Sequence, residues 1–507
     1  MVNRALYHAT ASWFFKRIDV KFDYPPSKHY LENFEAVTNG MAVNWAQEVV
    51  FVTWLNRLDA PARAVVQPTT LARIRDLVRA RAHSRAEDLG GAVARLGPLC
   101  AVTVECTDHP RPGGWAWRAA VVHAALCASL DTLTTLSLCV PLEIVPAFLP
   151  PALTFPRLHT LAVRLFTLPV VSAAGVVARA DPRPLRAAEA HIGAFVARHT
   201  GSLCSLDFSM PPIYVARFLG APRVIEHYAV DAARVLRAVP PVGQLSTVAL
   251  SVLSTASFAS LPPIATFLTA YGGTLRALTL TVGRPYVQWS SAQAATTPAL
   301  LGALRLPQLA DLSIRCTGTA WPADAALEAA VCACVRAHAE LTALGLYGVA
   351  LSARGAGRLT GARLRRLALA VDVLTPGVLW LFADNLPALH SLEIFTERWC
   401  ECTGPDGAPG EHRPGEEYEF ALAMRRARYP HWALRHLVLS VADITKYCAV
   451  AVVTALPALH TLNWTARTQY LAEQRKYVIG YPEAWLLRLK SMPPIKILPM
   501  AHIGSGH

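Results

Sequence analysis

Lysine is almost missing from this chain. Of 48 basic residues only seven are Lys, and none stands between Lys28 and Lys446. A phosphate-cradling GxxxxGK[ST] loop does not occur. Neither do the HExxH, GxSxG and EF-hand patterns of metalloproteases, serine hydrolases and calcium sites. Charged residues make up only 16% of the chain and apolar ones 53%, which excludes a disordered polyampholyte and allows a large core. The 11 cysteines include no CxxC pair, so neither a disulfide framework nor a standard zinc module is read. No stretch reaches the about 18 uncharged apolar residues of a membrane span. The most apolar run, Ala119–Leu130, is shorter and contains His123. Val2–Phe15 lacks the apolar centre of a secretory signal; it is basic and acid-free, which leaves a transit peptide as the alternative. The reading is an intracellular protein, cytoplasmic or nuclear, with reduced thiols.

The net charge of +13 first suggests nucleic acid. The arginines are dispersed beside Ala, Leu and Pro, and no basic run interleaves with aromatics. A compositional bias toward Arg, Ala and Pro accounts for the charge, and no nucleic-acid or membrane partner is expected. No cofactor and no metal is expected either. Cys400, Cys402 and His412 supply at most three metal ligands at a spacing that fits no known module. The 17 histidines are scattered, and His159, His390 and His460 each follow the first leucine of a repeat, a structural periodicity. The sequon at Asn463-Trp464-Thr465 falls inside an expected strand.

What the chain does have is a repeat. The pattern L-x-x-[LV]-x-[LIVFW] starts at Leu133, Leu158, Leu203, Leu245, Leu275, Leu309, Leu341, Leu364, Leu389, Leu434 and Leu459, with a weaker copy at Leu99. Glu48–Trp54 reads as an earlier strand. The second and third apolar residues of each copy are two apart, so they point to one side of a short strand. One such unit cannot bury that side alone, whereas stacked units share a continuous core. Ala-rich stretches between copies, such as Ala188–Arg198 and Ala323–His338, carry helical spacing; Pro182, Pro184 and Gly201 flank the first, and Pro322 precedes the second.

The expected fold is therefore α/β: an irregular leucine-rich-repeat solenoid with parallel strands on a concave face and helices outside. Copies start 23 to 45 residues apart, against roughly 20–29 in regular arrays, so loops or extra helices fill the longer gaps. The Asn or Cys of regular repeats is absent eight residues after the first leucine, which predicts uneven curvature. The segments are 1–22, an N-terminal cap with irregular repeats over 23–98, an array over 99–466, and a cap and tail over 467–507. A Gly-, Pro- and charge-rich loop interrupts the array at 402–419.

The first 22 residues, MVNRALYHATASWFFKRIDVKF, resemble the last helix and exit strand of the F-box in fungal F-box/leucine-rich-repeat proteins. The matching residues are Val2, Arg4, Leu6 and Tyr7, then Trp13 and Phe14, then Arg17-Ile18-Asp19-Val20. The repeat strands, such as the one from Leu386 to Phe395, are similar in style to that family's. The family's opening Leu-Pro-x-Glu segment and first helix have no counterpart in the match. The resemblance implies a substrate receptor of a cullin-type ubiquitin ligase, with Val2, Leu6, Trp13 and Phe14 toward a Skp-type adaptor. From the residues alone, 2–22 is an amphipathic helix and strand capping the array, and the chain is an interaction scaffold without ligase coupling. A receptor poor in acceptor lysines would escape its own ubiquitination, although the compositional bias explains the missing lysines as well.

If repeat offsets 3 and 5 face the core, offsets 2, 4 and 6 face the concave side. Arg164, Asp311, Arg315, Arg366, Glu393, Phe395, His436 and Asn463 then lie on that face, among small or apolar Ala277, Ala368 and Val438. A mixed-charge surface with an aromatic suits a protein partner. No catalytic residue is nominated.

Overall fold

Each copy of the leucine pattern folds as a short strand of a parallel sheet. The structure, a computed structural model, describes residues 16–21, 28–39, 46–52, 88–96, 98–105, 114–149, 151–167, 170–171, 177–178, 182–209, 230, 232–252, 261–282, 298–316, 325–361, 363–399, 416–427, 429–441 and 446–466. The chain forms two compact units, Met1–Leu253 and Ser254–His507.

In the first unit the strands are β1 (Arg17–Lys21), β2 (Glu48–Val52), β3 (Ala101–Glu105), β4 (Thr135–Cys139) and β5 (Thr160–Val163). A small antiparallel hairpin follows, β6 (Val170–Val171) with β7 (Val177–Ala178). Then come β8 (Ser205–Phe208) and β9 (Thr247–Val252). Apart from the hairpin, every strand pairs in parallel with the next in the chain. In strand β1, Ile18 and Val20 pair with Val49 and Phe51.

The second unit holds β10 (Ala277–Val282), β11 (Asp311–Cys316), β12 (Ala343–Leu351), β13 (Arg366–Leu374), β14 (Ser391–Trp399), β15 (His436–Val441) and β16 (Thr461–Ala466). These too are parallel and in sequential order. Consecutive parallel strands need a crossover, and helices supply many of them. Helix Pro182–Arg198 leads to β8, Leu261–Ala270 to β10, Ala325–Ala337 to β12, Pro376–Asn385 to β14 and Lys446–Ala455 to β16.

Two helices differ from expectation at their starts. The first begins at Pro182, so its prolines sit inside the first turn, where a missing N–H leaves no intrahelical bond unmade. Residues 416–419, expected in the inserted loop, instead open the helix Glu416–Arg426.

In each unit the core lies between the leucine face of the parallel strands and the helices. Among described side chains, no residue at offsets 0, 3 and 5 of the eleven copies is more than 4% exposed. Each such burial contributes roughly 1.5–3 kcal/mol, and only a stack can bury them all. The opposite face alternates as expected: along β10 and β11 the residues at offsets 2, 4 and 6 are partly or fully exposed.

The residue after the first leucine has a backbone role in nine of the eleven copies. Its carbonyl accepts two amides of the next strand, as when Thr342 O receives Arg365 N at 2.8 Å and Arg366 N at 3.0 Å. His159, His390 and His460 occupy this position, and each of their carbonyls or amides belongs to the same ladder. That is the structural periodicity read from their spacing.

Three buried polar side chains tie neighbouring repeats together where the usual Asn is absent. Ser129 Oγ donates to Ala125 O at 2.9 Å and accepts Leu99 N at 3.1 Å. His199 bonds Phe195 O through Nδ1 at 2.7 Å and accepts Phe155 N through Nε2 at 2.9 Å. His338 repeats this in the second unit, with Cys334 O at 2.6 Å and Leu306 N at 3.3 Å. A carbonyl only accepts and an amide only donates, so both rings are assigned the neutral Nδ1–H tautomer. Each residue stands just after the C-terminus of a helix or in its last turn, and holds the turn of the repeat before it.

Candidate functional site

The open face of the second unit's sheet gathers most of the nominated residues. Parallel register places them in three rows. The first row runs Ala277, Asp311, Ala343, Arg366, Ser391, His436, Thr461. The second runs Thr279, Ser313, Gly345, Ala368, Glu393, Val438, Asn463. The third includes Thr281, Arg315 and Tyr347, then Ala370, Phe395, Ser440 and Thr465.

In the first row, Arg366 Nη2 pairs with Asp311 Oδ2 at 3.1 Å across Ala343. Both side chains are well exposed, so the pair contributes at most about 1 kcal/mol to stability. Its geometric effect matters more: it turns Arg366 toward β11 and away from β14. His436 Nδ1 meets Thr461 Oγ1 at 2.7 Å farther along the row.

The third row carries an aromatic cluster. Arg315 lies over the Tyr347 ring, 5.3 Å from its centroid, and the Tyr347 and Phe395 rings meet edge-on at 6.1 Å. Such pairs add about 0.5–1.5 kcal/mol beyond the area they bury. Two flanking features position Tyr347. Its ring folds back over Gly345, where there is no side chain to displace it. After it the strand bulges: pairing with β13 runs to Leu346↔Leu369 and resumes at Ala350↔Ala370. Gly348, with φ of +74°, makes the turn, close against Cys316 O.

Glu393 occupies the second row between Ala368 on β13 and Val438 on β15. These apolar neighbours strip water from it, and burial raises its carboxyl above the ordinary carboxylate value. Tyr347 is likewise raised, chiefly by burial and further by the charge of Glu393. Asn463 ends the row, half-buried, with its Oδ1 shielded from solvent and no hydrogen-bond partner among the described residues.

Comparison with known proteins brings no identification. No protein-family model and no curated protein matches this chain.

Arg164 does not join this cluster, because it belongs to the first unit. There it bonds Asp207 and Ser209, and Ser209 Oγ donates to Asp207 Oδ1 at 2.5 Å. Val2, Leu6, Trp13 and Phe14 lie outside the described residues, as do Cys400, Cys402 and His412. Among the described residues no group of three or more His, Cys, Asp or Glu could hold a metal ion. No described helix is long and apolar enough to cross a membrane.

The cluster thus joins Asp311 with Arg366, and Arg315 with Phe395 through Tyr347, and sets Glu393 beside them. Tyr347 itself escaped the sequence reading. It stands at offset 6 of the copy starting at Leu341, and a count of that row would have found it. Asp207 and Ser209, the partners of Arg164, were also missed. Elsewhere, charge buried in this unit serves the fold: the Glu328 carboxylate accepts Ser352 N at 2.6 Å, at the start of the short helix Ala353–Ala356.

Proposed function

We propose that this chain is an irregular leucine-rich-repeat protein that binds another protein through the open face of its sheet, without catalysis. The observation that carries the reading is the Arg315–Tyr347–Phe395 cluster on a sheet face that no described helix covers. Aromatic and arginine side chains dominate the energy of protein interfaces, and here they are already held in one geometry. The mixed charge around them favours a protein over a polyanion.

Within that reading the chain is an F-box-like substrate receptor of a cullin-type ubiquitin ligase. The support is the resemblance of its first 22 residues together with the repeats that follow. An interaction scaffold without ligase coupling is the second reading. The open-face cluster needs no adaptor-binding helix to hold a partner, and that observation favours the scaffold.

Affinity purification of the full chain separates them. A substrate receptor retains a Skp-type adaptor at stoichiometric amounts and loses it on substitution of Leu6 and Trp13. A scaffold retains a partner that depends on Tyr347 and Phe395, and no adaptor. If purified wild type and a folded Tyr347→Ala, Phe395→Ala double variant hold identical partners, the open face is not the binding surface.

A further inference from the structure

Glu393 is the acidic residue of the cluster that has no counter-ion among the described residues. Asp311 and Arg366 neutralise each other at 3.1 Å. Arg315 is exposed to water and rests on the Tyr347 ring. Glu393 is half-buried between Ala368 and Val438, and no cation lies within ion-pair distance of it among the described residues. Arg366 would be the natural counter-ion, since it pairs in register with Ser391 two residues before Glu393. Asp311 holds it on the other side.

The surroundings of that carboxylate have a definite shape. Small residues line the sheet surface beside it: Gly345 and Ala368 in its own row, Ala370 in the next. Two strand spacings, about 9.5 Å, separate the Gly345 backbone from that of Glu393. The Tyr347 ring covers the Gly345 end, and Phe395 stands two residues beyond Glu393 on the same strand. Apolar ring surface and an unpaired carboxylate therefore flank a low floor. A long side chain that is apolar along its stem and cationic at its tip matches this arrangement.

We infer that this recess receives a basic side chain, lysine or arginine, from a protein partner, its stem against Tyr347 and Phe395 and its head on Glu393. The inference rests on the reading of the open face as a partner surface and adds the chemistry of the anchor. Bulk electrostatics oppose it, which makes it testable. A chain with a net charge of +13 attracts acidic peptides, so selection of a basic residue has to come from a local site.

The test is selection of a displayed random-peptide library on the full-length protein, followed by fluorescence anisotropy of a selected peptide. The expected result is a required Lys or Arg in the selected sequences. Affinity should fall at least tenfold on replacing that residue with norleucine, and equally on Glu393→Gln, which keeps the shape and removes the charge. Tyr347→Ala should weaken the same peptide. Peptides that depend on Tyr347 but carry no basic residue, or that tolerate Glu393→Gln, would overturn this inference and leave the open-face reading standing. Selected peptides indifferent to both Tyr347→Ala and Phe395→Ala would overturn the two together.

Discussion

The Tyr347 ring lies so close over Gly345 that a Cβ at position 345 would meet Tyr347 Cε2 at 2.7 Å. The two residues sit on one face of the same strand, two positions apart. The glycine is thus part of the site although it presents no side chain to a partner. The contacting atom is the far side of a ring that can swing away, so Gly345→Ala should cost little stability and misplace Tyr347. A binding loss of roughly 1–2 kcal/mol is expected, in the range of an interface anchor. Peptide affinity measured beside a thermal melt checks it. Unchanged affinity would show that the folded-back ring position is irrelevant to recognition.

Gly348 should behave in the opposite way. Its φ of +74° suits glycine, and a Cβ there would fall 2.1 Å from Cys316 O on the neighbouring strand. A backbone atom cannot move aside cheaply. Gly348→Ala is expected to destabilise the second unit by about 1–3 kcal/mol or more, read as a lower denaturant midpoint. A midpoint within error of wild type would contradict the bulge geometry.

His199 predicts a pH dependence. Burial lowers its pKa below the ordinary 6.5, with bonding to Phe195 O partly opposing. The unfolded chain therefore binds more protons than the folded one at mildly acidic pH. The stability supplied by the neutral ring is complete above about 6.5 and declines as pH falls below that value. Melting temperatures across pH 5–8 should drop less steeply on acidification for His199→Gln than for wild type. Parallel curves would exclude the neutral buried ring.

Ser129 offers a test of the same inter-repeat tie without titration. Ser129→Ala leaves the buried Leu99 N–H without its acceptor, at a cost of about 1–3 kcal/mol. Ser129→Thr keeps the hydroxyl and should recover part of that loss, as measured by chemical denaturation.

Thiol chemistry should divide by burial. Burial pushes Cys139 and Cys316 up to about 12 and Cys334 up to about 11. Cys100 and Cys127 are exposed. Native alkylation at pH 8, followed by peptide mass mapping, should label Cys100 and Cys127 and spare the three buried thiols until the protein is denatured.

Much of the fold was legible because a strand's alternation is local. Leu309, Leu312 and Ile314 announce a strand and its buried side from their spacing alone, and β11 follows. The ends of elements were less legible. Pro182 looked like a flank and turned out to be a first turn, because a proline is as acceptable there as before a helix. The role of His199 was hidden for another reason: its partners, Phe195 and Phe155, lie four and 44 residues away in the chain, and only the second defines the inter-repeat tie.

The spacing of leucines determined that there would be parallel strands, which residues would be buried, and which rows would face outward. Those follow from period-two geometry and from the gain in burying apolar surface. Which outward residues would meet was decided only by the tertiary structure. Asp311 and Arg366 are 55 residues apart, and Tyr347 and Phe395 stand on strands separated by β13. Their meeting depends on register, on a three-residue bulge, and on small side chains in between, each set by contacts between distant segments. For the same reason Glu393 could be named from sequence as an outward residue, but not as an acid without a counter-ion among the described residues.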